Sequence, residues 1–150
     1  MRVSAIELQE FPDLRVSKPT LPLEATAVRV GLVESQTREI TNVSFGRDYL
    51  QGVLEDGQSI GFIRLSEIAR LEFLVSSEPN QQRIEFSGKT LSEQIRKVPA
   101  PCVARIITRQ PRTRQTHWFL GASRGFLIFE ANPNCFVPLA RVAFIELRCG

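Results

Sequence analysis

A basic segment near the middle of the chain is the first feature that could do chemistry. Seven Lys and Arg residues and no acidic residue lie between Gln94 and Phe129. Arginine side chains bind phosphate oxygens bidentately, and an aromatic ring such as that of Trp118 can stack on a base. Alternation along a hairpin would place Arg112 and Arg114 on one side. The candidate nucleic-acid-binding residues are therefore Arg105, Arg109, Arg112, Arg114, Trp118 and Arg124.

The same segment also has a structural interpretation, in which it is a solvated loop and Trp118 is buried opposite the core position of Val43. Residues 1–75 carry 8 Lys and Arg against 11 Asp and Glu, whereas residues 76–150 carry 11 against 5. This asymmetry predicts that a polyanionic partner would contact the C-terminal half, or that the two halves attract each other or another copy of the chain.

Catalysis and metal binding find little support in the residue pattern. The single histidine, His117, lies within the basic segment, and neither a Gly-x-Ser-x-Gly elbow nor a phosphate-binding glycine loop is present. Zinc ligands usually come in closely spaced pairs, but Cys102, His117, Cys135 and Cys149 are each 14 to 18 residues from the next. We therefore expect a protein that is not an enzyme, with no catalytic residue, no metal and no cofactor.

The cysteines also bear on the cellular compartment. Three is an odd number and their spacing shows no pairs, so we expect free thiols and a reducing environment. No run approaches the ~20 apolar residues that a membrane-spanning helix needs. An early acidic residue, Glu7, interrupts the apolar residues of the N-terminus, unlike a secretory signal. The sequence therefore predicts a cytoplasmic protein without a membrane partner.

Short and alternating apolar runs dominate the chain and predict strands. The Asp56-Gly57 step supplies the positive φ angle of a tight hairpin turn, and Gly46 is expected to bend the chain, with Arg47 and Asp48 in solvent. The simplest prediction is an all-β fold with one short helix. The apolar runs lie at Val28 to Leu32, Val43 to Phe45, Tyr49 to Leu54, Ile60 to Leu65 and Ile68 to Phe73.

An internal repeat with a period of about 75 residues organises these strands. Each change in the offset falls in a loop, as expected because a one-residue slip inside a strand would exchange its buried and exposed faces. The alternative is two unrelated β segments of similar composition. The aligned segments are Val28 to Val30 with Ala104 to Ile106 at an offset of 76, Val43 to Gly46 with Trp118 to Gly121 and Val53 to Glu55 with Ile128 to Glu130 at 75, and Phe62 to Glu72 with Phe136 to Glu146 at 74.

One short helix is predicted between the two copies, over residues 90–97. Thr90 and Glu93 have the spacing of a capping box, and Pro99 and Pro101 stop the helix. Its apolar stripe consists of Leu91, Ile95 and Val98, and we expect this stripe to pack on the protein rather than to bind a partner.

The strand order of each copy resembles that of the Sm-like and Src-homology-3-like small β-barrels. In those families one turn of 3₁₀ helix joins the last two strands, and Leu65 to Ile68 and Leu139 to Val142 would be that join here. The resemblance implies two tandem small barrels; a single β-sandwich or one larger barrel is the alternative. The predicted domains are an N-terminal strand and proline-containing arm over residues 1–27, a first barrel over 28–75, a linker with the helix over 76–103 and a second barrel over 104–150.

The RNA-binding members of these families use a loop with Asp, an aromatic residue and Asn, and an Arg-Gly pair on the penultimate strand. Asp48 and Tyr49 match the start of that loop, but Gln51 stands near the Asn position, and Arg124-Gly125 lies in a different strand. We therefore expect a non-catalytic binding or scaffold module for protein–protein interaction or assembly, including self-association. The alternative is binding of RNA or single-stranded DNA through the basic segment.

Overall fold

The structure is a computed structural model that describes residues 2–7, 24–33, 36–75, 81–99, 101–131 and 133–149. The described residues are mostly in strands, with one short α-helix and two turns of 3₁₀ helix. The predicted all-β class is therefore confirmed. The prolines of the predicted N-terminal arm, Pro12, Pro19 and Pro22, lie outside the described residues.

Two groups of five strands account for most of the chain. Strands β1 (Arg2–Glu7) and β2 (Glu24–Ala25) precede the first unit, which consists of β3 (Ala27–Leu32), β4 (Thr37–Phe45), β5 (Tyr49–Val53), β6 (Ile60–Arg64) and β7 (Ile68–Val75). Strands β8 (Gln82–Arg83) and β9 (Glu85–Phe86) and helix α1 (Leu91–Ile95) lead to the second unit, which consists of β10 (Cys102–Thr108), β11 (Thr113–Ser123), β12 (Phe126–Phe129), β13 (Cys135–Pro138) and β14 (Val142–Arg148).

Both units belong to one sheet. Its strand order is β1-β7-β3-β4-β5-β6-β14-β10-β11-β12-β13, with β9 paired to β4. Each unit therefore has its fifth strand beside its first, followed by the second, third and fourth. The units meet where β6, the fourth strand of the first unit, pairs antiparallel with β14, the fifth strand of the second. Among the described residues no strand pair closes either unit on itself, so the sheet is open.

The strand register corrects part of the repeat alignment. The 3₁₀ turns Leu65–Glu67 and Leu139–Arg141 keep the predicted offset of 74. Leu50 lies opposite Ile63, as Leu127 lies opposite Val137. The third strands are therefore equivalent at an offset of 77, rather than the predicted 75. A two-residue slip leaves every side chain on the same face, so the apolar pattern does not reveal it.

Gly46 and Gly121, which the sequence alignment matches, have different structural roles. A Cβ atom at Gly46 would lie 1.8 Å from Cε1 of Tyr49, so the glycine allows the Tyr49 ring to pack against the backbone. Gly121 has a φ angle of 145° and lies at a register shift between β11 and β12, where the chain needs a β-bulge. Both glycines serve backbone geometry, but at different positions.

Two hydrophobic cores lie on opposite faces of the junction between the units. Successive residues of a strand point to opposite faces, so neighbours in β6 enter different cores. Ile63 packs in the first core with Phe144 of the second unit, and Phe62 packs in the second core with Ile145. Each unit therefore completes the core of the other.

Helix α1 covers the second core, as its apolar stripe predicts. Leu91 and Ile95 are buried there, and Val98 packs beside them. The predicted capping is also confirmed, because the Thr90 hydroxyl accepts a hydrogen bond from the backbone N–H of Glu93 at 3.2 Å. The helix ends at Ile95, two residues before the predicted end.

The prediction of three free thiols is wrong. Cys102 and Cys149 form a disulfide, and Cys135 is free. The two bonded cysteines are 47 residues apart. Their strands are nevertheless antiparallel neighbours, with Val103 opposite Arg148, so the next residues outward face each other. Sequence spacing could not show this pairing.

The cytoplasmic location stays a prediction, and it no longer has the support of a full set of free thiols. None of the helical segments within the described ranges has the length and apolarity to cross a lipid bilayer.

Counting thiols tests the disulfide. Protein that is purified without reductant and unfolded in guanidinium should show one reactive thiol, that of Cys135, and three after reduction. Replacing Cys149→Ser should lower the free energy of unfolding by about 2–4 kcal/mol, because it opens a long covalent loop. The matched variant, Cys135→Ser, should show no thiol before reduction. Three reactive thiols in the unreduced protein would contradict the disulfide.

Candidate interaction surface

The six residues of the predicted basic site do not form one surface. Arg105 and Arg114 line a cleft between the units. Arg109 and Arg112 bind groups at the junction of the units. Trp118 and Arg124 are exposed on β11 and on the turn that follows it. The expected grouping of Arg112 with Arg114 fails, because Arg112 lies in the turn before β11, which begins at Thr113.

Arg109 and Arg112 hold the second unit against the 3₁₀ turn of the first. Nη1 of Arg109 donates to the hydroxyl of Ser66 at 3.1 Å, and Nη2 donates to the carbonyl of Ala140 at 2.9 Å. Nη1 of Arg112 lies 3.6 Å from Oε2 of the buried Glu67. These contacts use both arginines for packing within the chain.

Arg64 binds across the junction in the opposite direction. Its Nε donates to the carbonyl of Val142 at 2.6 Å, and Nη2 donates to the carbonyl of Leu139. Burial lowers the pKa of the Arg64 guanidinium, and the nearby Asp48 carboxylate opposes that shift. Asp48 also accepts a hydrogen bond from the backbone N–H of Leu91 at 2.9 Å. The Asp48 side chain is 38% exposed, and it also links β6 to the start of α1.

The cleft between the units has a volume of about 310 Å³ and contains guanidinium groups from both units. Arg105 and Arg114 come from the second unit, and Arg38 comes from the first. The Arg38 guanidinium lies 5.4 Å from the centroid of the Phe144 ring, a cation–π contact at the base of the cleft.

Carboxylates neutralise part of the charge in this cleft. Nε of Arg38 lies 3.0 Å from Oε2 of Glu55, and Nη1 of Arg105 lies 3.7 Å from Oε2 of Glu146. Despite partial burial, which would raise it, the pKa of Glu55 is lowered by the hydrogen bonds from Arg38. The Arg114 side chain is exposed. The cleft is therefore a mixed-charge surface with two exposed arginines, Arg105 and Arg114.

Trp118 is exposed, so the expectation that it fills the core is wrong. It is 51% exposed and lies opposite Val103 of β10, while its neighbour Phe119 takes the buried position. Trp118 belongs to a set of apolar side chains on the outside of β11, β12 and β13, which we call the apolar outer face. Its members are Trp118, Leu120, Phe126, Ile128 and Phe136.

The register places these side chains next to one another. Ile128 lies opposite Phe136 on one side and opposite Gly121 on the other. Phe126 lies two residues before Ile128, on the same face. Phe136 is the most exposed member, at 59%. The apolar outer face therefore extends across three strands to the last strand of the sheet.

β13 ends the sheet, and its outer edge has no partner strand within the described residues. The backbone N–H of Leu139 donates to the carbonyl of Gly125 at 2.8 Å, in register with β12. Because backbone groups alternate in direction along an antiparallel strand, the N–H and C=O of Phe136 point away from β12. The exposed edge and the apolar outer face meet at this residue.

Arg124 is exposed at the turn between β11 and β12, where its φ angle is 53°. This is a left-handed conformation that non-glycine residues adopt mostly in turns. Its position is a consequence of the hairpin, and it lies apart from the arginines of the cleft, which are on β10 and the start of β11.

Comparisons with protein-family models, with curated proteins and with solved structures gave no match. The resemblance to Sm-like and Src-homology-3-like barrels therefore stays a prediction.

Sequence reasoning missed Arg38 and Arg64, and it missed the exposure of Phe136. A signal for the apolar outer face was present, because Phe126 to Phe129 is apolar at every position. Such a run is typical of a strand that is covered on both faces. Here the core covers one face only.

The junction contacts of Arg64 predict a large loss of stability when they are removed. Arg64→Met keeps the length of the side chain but leaves two backbone carbonyls of the second unit without a charged donor. We expect the free energy of unfolding to fall by about 2–4 kcal/mol in urea titrations. Arg29→Met, at an exposed position on β3, is the control and should change it by less than about 0.5 kcal/mol. Equal effects of the two variants would contradict the role of Arg64.

Proposed function

We propose that this protein is a non-catalytic assembly module that binds an extended protein segment along the free edge of β13. One observation carries this proposal: four large apolar side chains, 39% to 59% exposed, lie on one face of β11, β12 and β13, and the outer edge of β13 is unpaired within the described residues. Contiguous apolar patches on a protein surface mark interaction sites, and unprotected edges accept further strands. The four are Trp118, Leu120, Phe126 and Phe136.

The backbone of β13 supplies affinity, and its outer face supplies selectivity. A segment that adds beside β13 would exchange hydrogen bonds with the outward N–H and C=O of Phe136. Every second side chain of that segment would lie on the apolar outer face, next to Phe136 and Phe126. β13 contains no charged residue that would oppose such pairing. The partner we propose is an extended segment with apolar residues at alternate positions.

We further propose that the two units are copies of one small barrel-like fold of the Sm-like and Src-homology-3-like type. The shared strand order supports this. A backbone hydrogen bond also recurs: the N–H of Val33 donates to the carbonyl of Glu67 at 3.0 Å, and the N–H of Arg109 donates to the carbonyl of Arg141 at 2.8 Å. Both bonds connect the end of a first strand to the 3₁₀ turn before a fifth strand. Tandem copies present repeated edges, which suits an assembly role.

Nucleic-acid binding is the less favoured function, because most of the basic residues contact groups of the protein itself. Arg109 and Arg112 bind groups of the protein itself, and Arg105 lies beside Glu146. The exposed aromatic side chain of Trp118 shares its face of β10 and β11 with Arg105 and Arg114, but Val103 and Leu120 on that face are apolar. Backbone-directed binding of nucleic acid requires a continuous basic groove.

Peptide binding tests the assembly function. The probe is a fluorescein-labelled octapeptide that alternates valine and threonine, with a proline-substituted version as the negative probe. Phe136→Pro removes both the outward N–H and the exposed ring, and should weaken binding at least tenfold in fluorescence anisotropy. Phe86→Ser is the matched control, because Phe86 is similarly exposed, at 52%, but lies on β9. Unchanged affinity in Phe136→Pro would overturn the proposal.

A salt titration tests the alternative function. Because most of these arginines contact carboxylate or carbonyl groups of the chain itself, we expect no strongly salt-dependent binding of single-stranded homopolymers, and no effect of Arg105→Ala or Arg114→Ala. A nucleic-acid-binding protein would instead show an affinity that falls steeply with salt, and each lost phosphate contact would reduce the slope by about 0.7. Steep dependence that flattens in Arg114→Ala would replace our proposal with the alternative.

A further inference from the structure

The junction between the two units uses one edge of each. β6, a fourth strand, gives its outer edge to β14, a fifth strand. Because the units have the same strand order, each unit contains both kinds of edge. The internal junction uses two of these four edges. The outer edges of β13 and β7 are the two that it leaves.

The edge of β13 reproduces that of β6. Phe62 of β6 lies opposite Ile145 of β14. The 3₁₀ turns that follow β6 and β13 start at Leu65 and Leu139, three residues after Phe62 and Phe136. Phe136 is therefore the equivalent of Phe62. The N–H groups of Leu65 and Leu139 donate to the neighbouring strand of their own unit. Because backbone groups alternate in direction along a strand, the N–H and C=O of each phenylalanine point away from the unit. Phe62 is 2% exposed and Phe136 is 59% exposed. β13 therefore presents, without a partner, the edge that β6 uses.

The matching edge of β7 is occupied by β1. Leu71 has in β7 the place of Ile145 in β14, and Ile6 of β1 lies opposite Leu71 in an antiparallel pair. The carbonyl of Leu74 accepts from the N–H of Thr26, on the β3 side, at 2.8 Å. By alternation, the N–H and C=O of Leu71 point toward β1. β1 therefore takes the position on β7 that a fourth strand of another unit would take.

β1 is held less firmly than β6, the strand that pairs with the equivalent edge of β14. Within the described part of the chain, β1 is the last strand of the sheet and pairs with β7 alone, whereas β6 is paired on both sides, with β5 and β14. Strands at a sheet edge open at lower free energy than strands that are paired on both sides. An incoming strand could therefore replace β1 on β7.

We propose that β1 is an exchangeable cap, and that β13 of a second copy of this chain replaces it on β7, with Phe136 opposite Leu71. This proposal rests on the proposed function and names the partner segment of that same edge. The charge distribution agrees with it, because residues 1–75 carry an excess of acidic residues and residues 76–150 an excess of basic ones. A contact between unlike edges is heterologous, so repeated addition gives rings or filaments.

The contact between copies is weaker than the internal junction. Phe144 inserts into the first core at the internal junction, whereas Arg70 has the equivalent place in β7. An arginine there adds less apolar burial than a phenylalanine, so binding between copies is reversible. This difference explains how the β6–β14 junction can be permanent, whereas the contact between β7 and β13 of a second copy forms only when β1 leaves β7.

A mixing experiment with four chains tests the proposal. The chain without residues 1–7 has both edges open and should show a weight-average mass at least twice that of the monomer in light scattering. Adding Phe136→Pro to that truncated chain closes one edge and should restore the monomer. The truncated Phe136→Pro chain mixed with the intact chain should form a one-to-one complex. Mixed with the intact Phe136→Pro chain, it should form none.

Proline substitutions within β1 test the cap in the full-length chain. Because Ile6 is paired with the N–H and C=O of Leu71, Ile6→Pro removes a hydrogen bond to β7, whereas Ala5→Pro removes an N–H that points away from it. Ile6→Pro should therefore promote self-association, and Ala5→Pro should not. Circular dichroism confirms that both variants remain folded.

The outcomes separate this proposal from the proposed function. If the truncated chain and Ile6→Pro stay monomeric and folded while the peptide still binds at β13, the second copy is not the partner and the cap proposal is wrong. If Phe136→Pro also leaves peptide binding unchanged, the proposed function is wrong too. Oligomers that persist in the truncated Phe136→Pro chain would identify non-specific aggregation and would overturn the cap.

Discussion

The antiparallel pairing of β6 with β14 is the interaction on which the rest of the structure depends. It joins the two units in a single sheet and places a core on each face of the joining strands. The side chains exchanged there are large: Phe62 enters the second core and Phe144 enters the first. Removal of either unit would expose apolar surface of the other, so neither unit has a complete core by itself.

Polar contacts fix the angle at which the units meet. Arg64 donates to two carbonyls of the second unit, and Arg109 donates to Ser66 of the first. Guanidinium groups suit this role because their donors form a rigid, planar fork that can bind several acceptors at once. The junction contacts thus account for part of the arginine content of the chain. Arg105 and Arg114 share the cleft with Arg38, while Arg124 lies apart on a turn.

The sequence predicts the parts of this fold that depend on local pattern. Alternating apolar residues identify the strands, Asp56 and Gly57 identify a hairpin turn, and Thr90 identifies the start of the helix. The middle strands of the repeat were aligned two residues out of register, because such a slip leaves the apolar pattern unchanged. The pairing of Cys102 with Cys149 depends on which strands become neighbours, and the spacing of the cysteines along the chain does not predict that.

The candidate site is harder to predict, because the exposure of a side chain depends on which strands pair with its own strand. Phe62 and Phe136 occupy equivalent positions and are the same residue type, yet one is buried and the other is exposed. Nothing in the residues themselves distinguishes them; the difference is that the outer edge of β6 is paired, whereas that of β13 is unpaired among the residues that the structure describes. The edge of β6, with Phe62, is buried against β14, and the equivalent edge of β13, with Phe136, is exposed. The edge of β13 therefore has the surface that forms an interface elsewhere in the same chain. The asymmetry between the two ends of the sheet, one covered by β1 and the other free, therefore gives the chain a direction along which further copies would add.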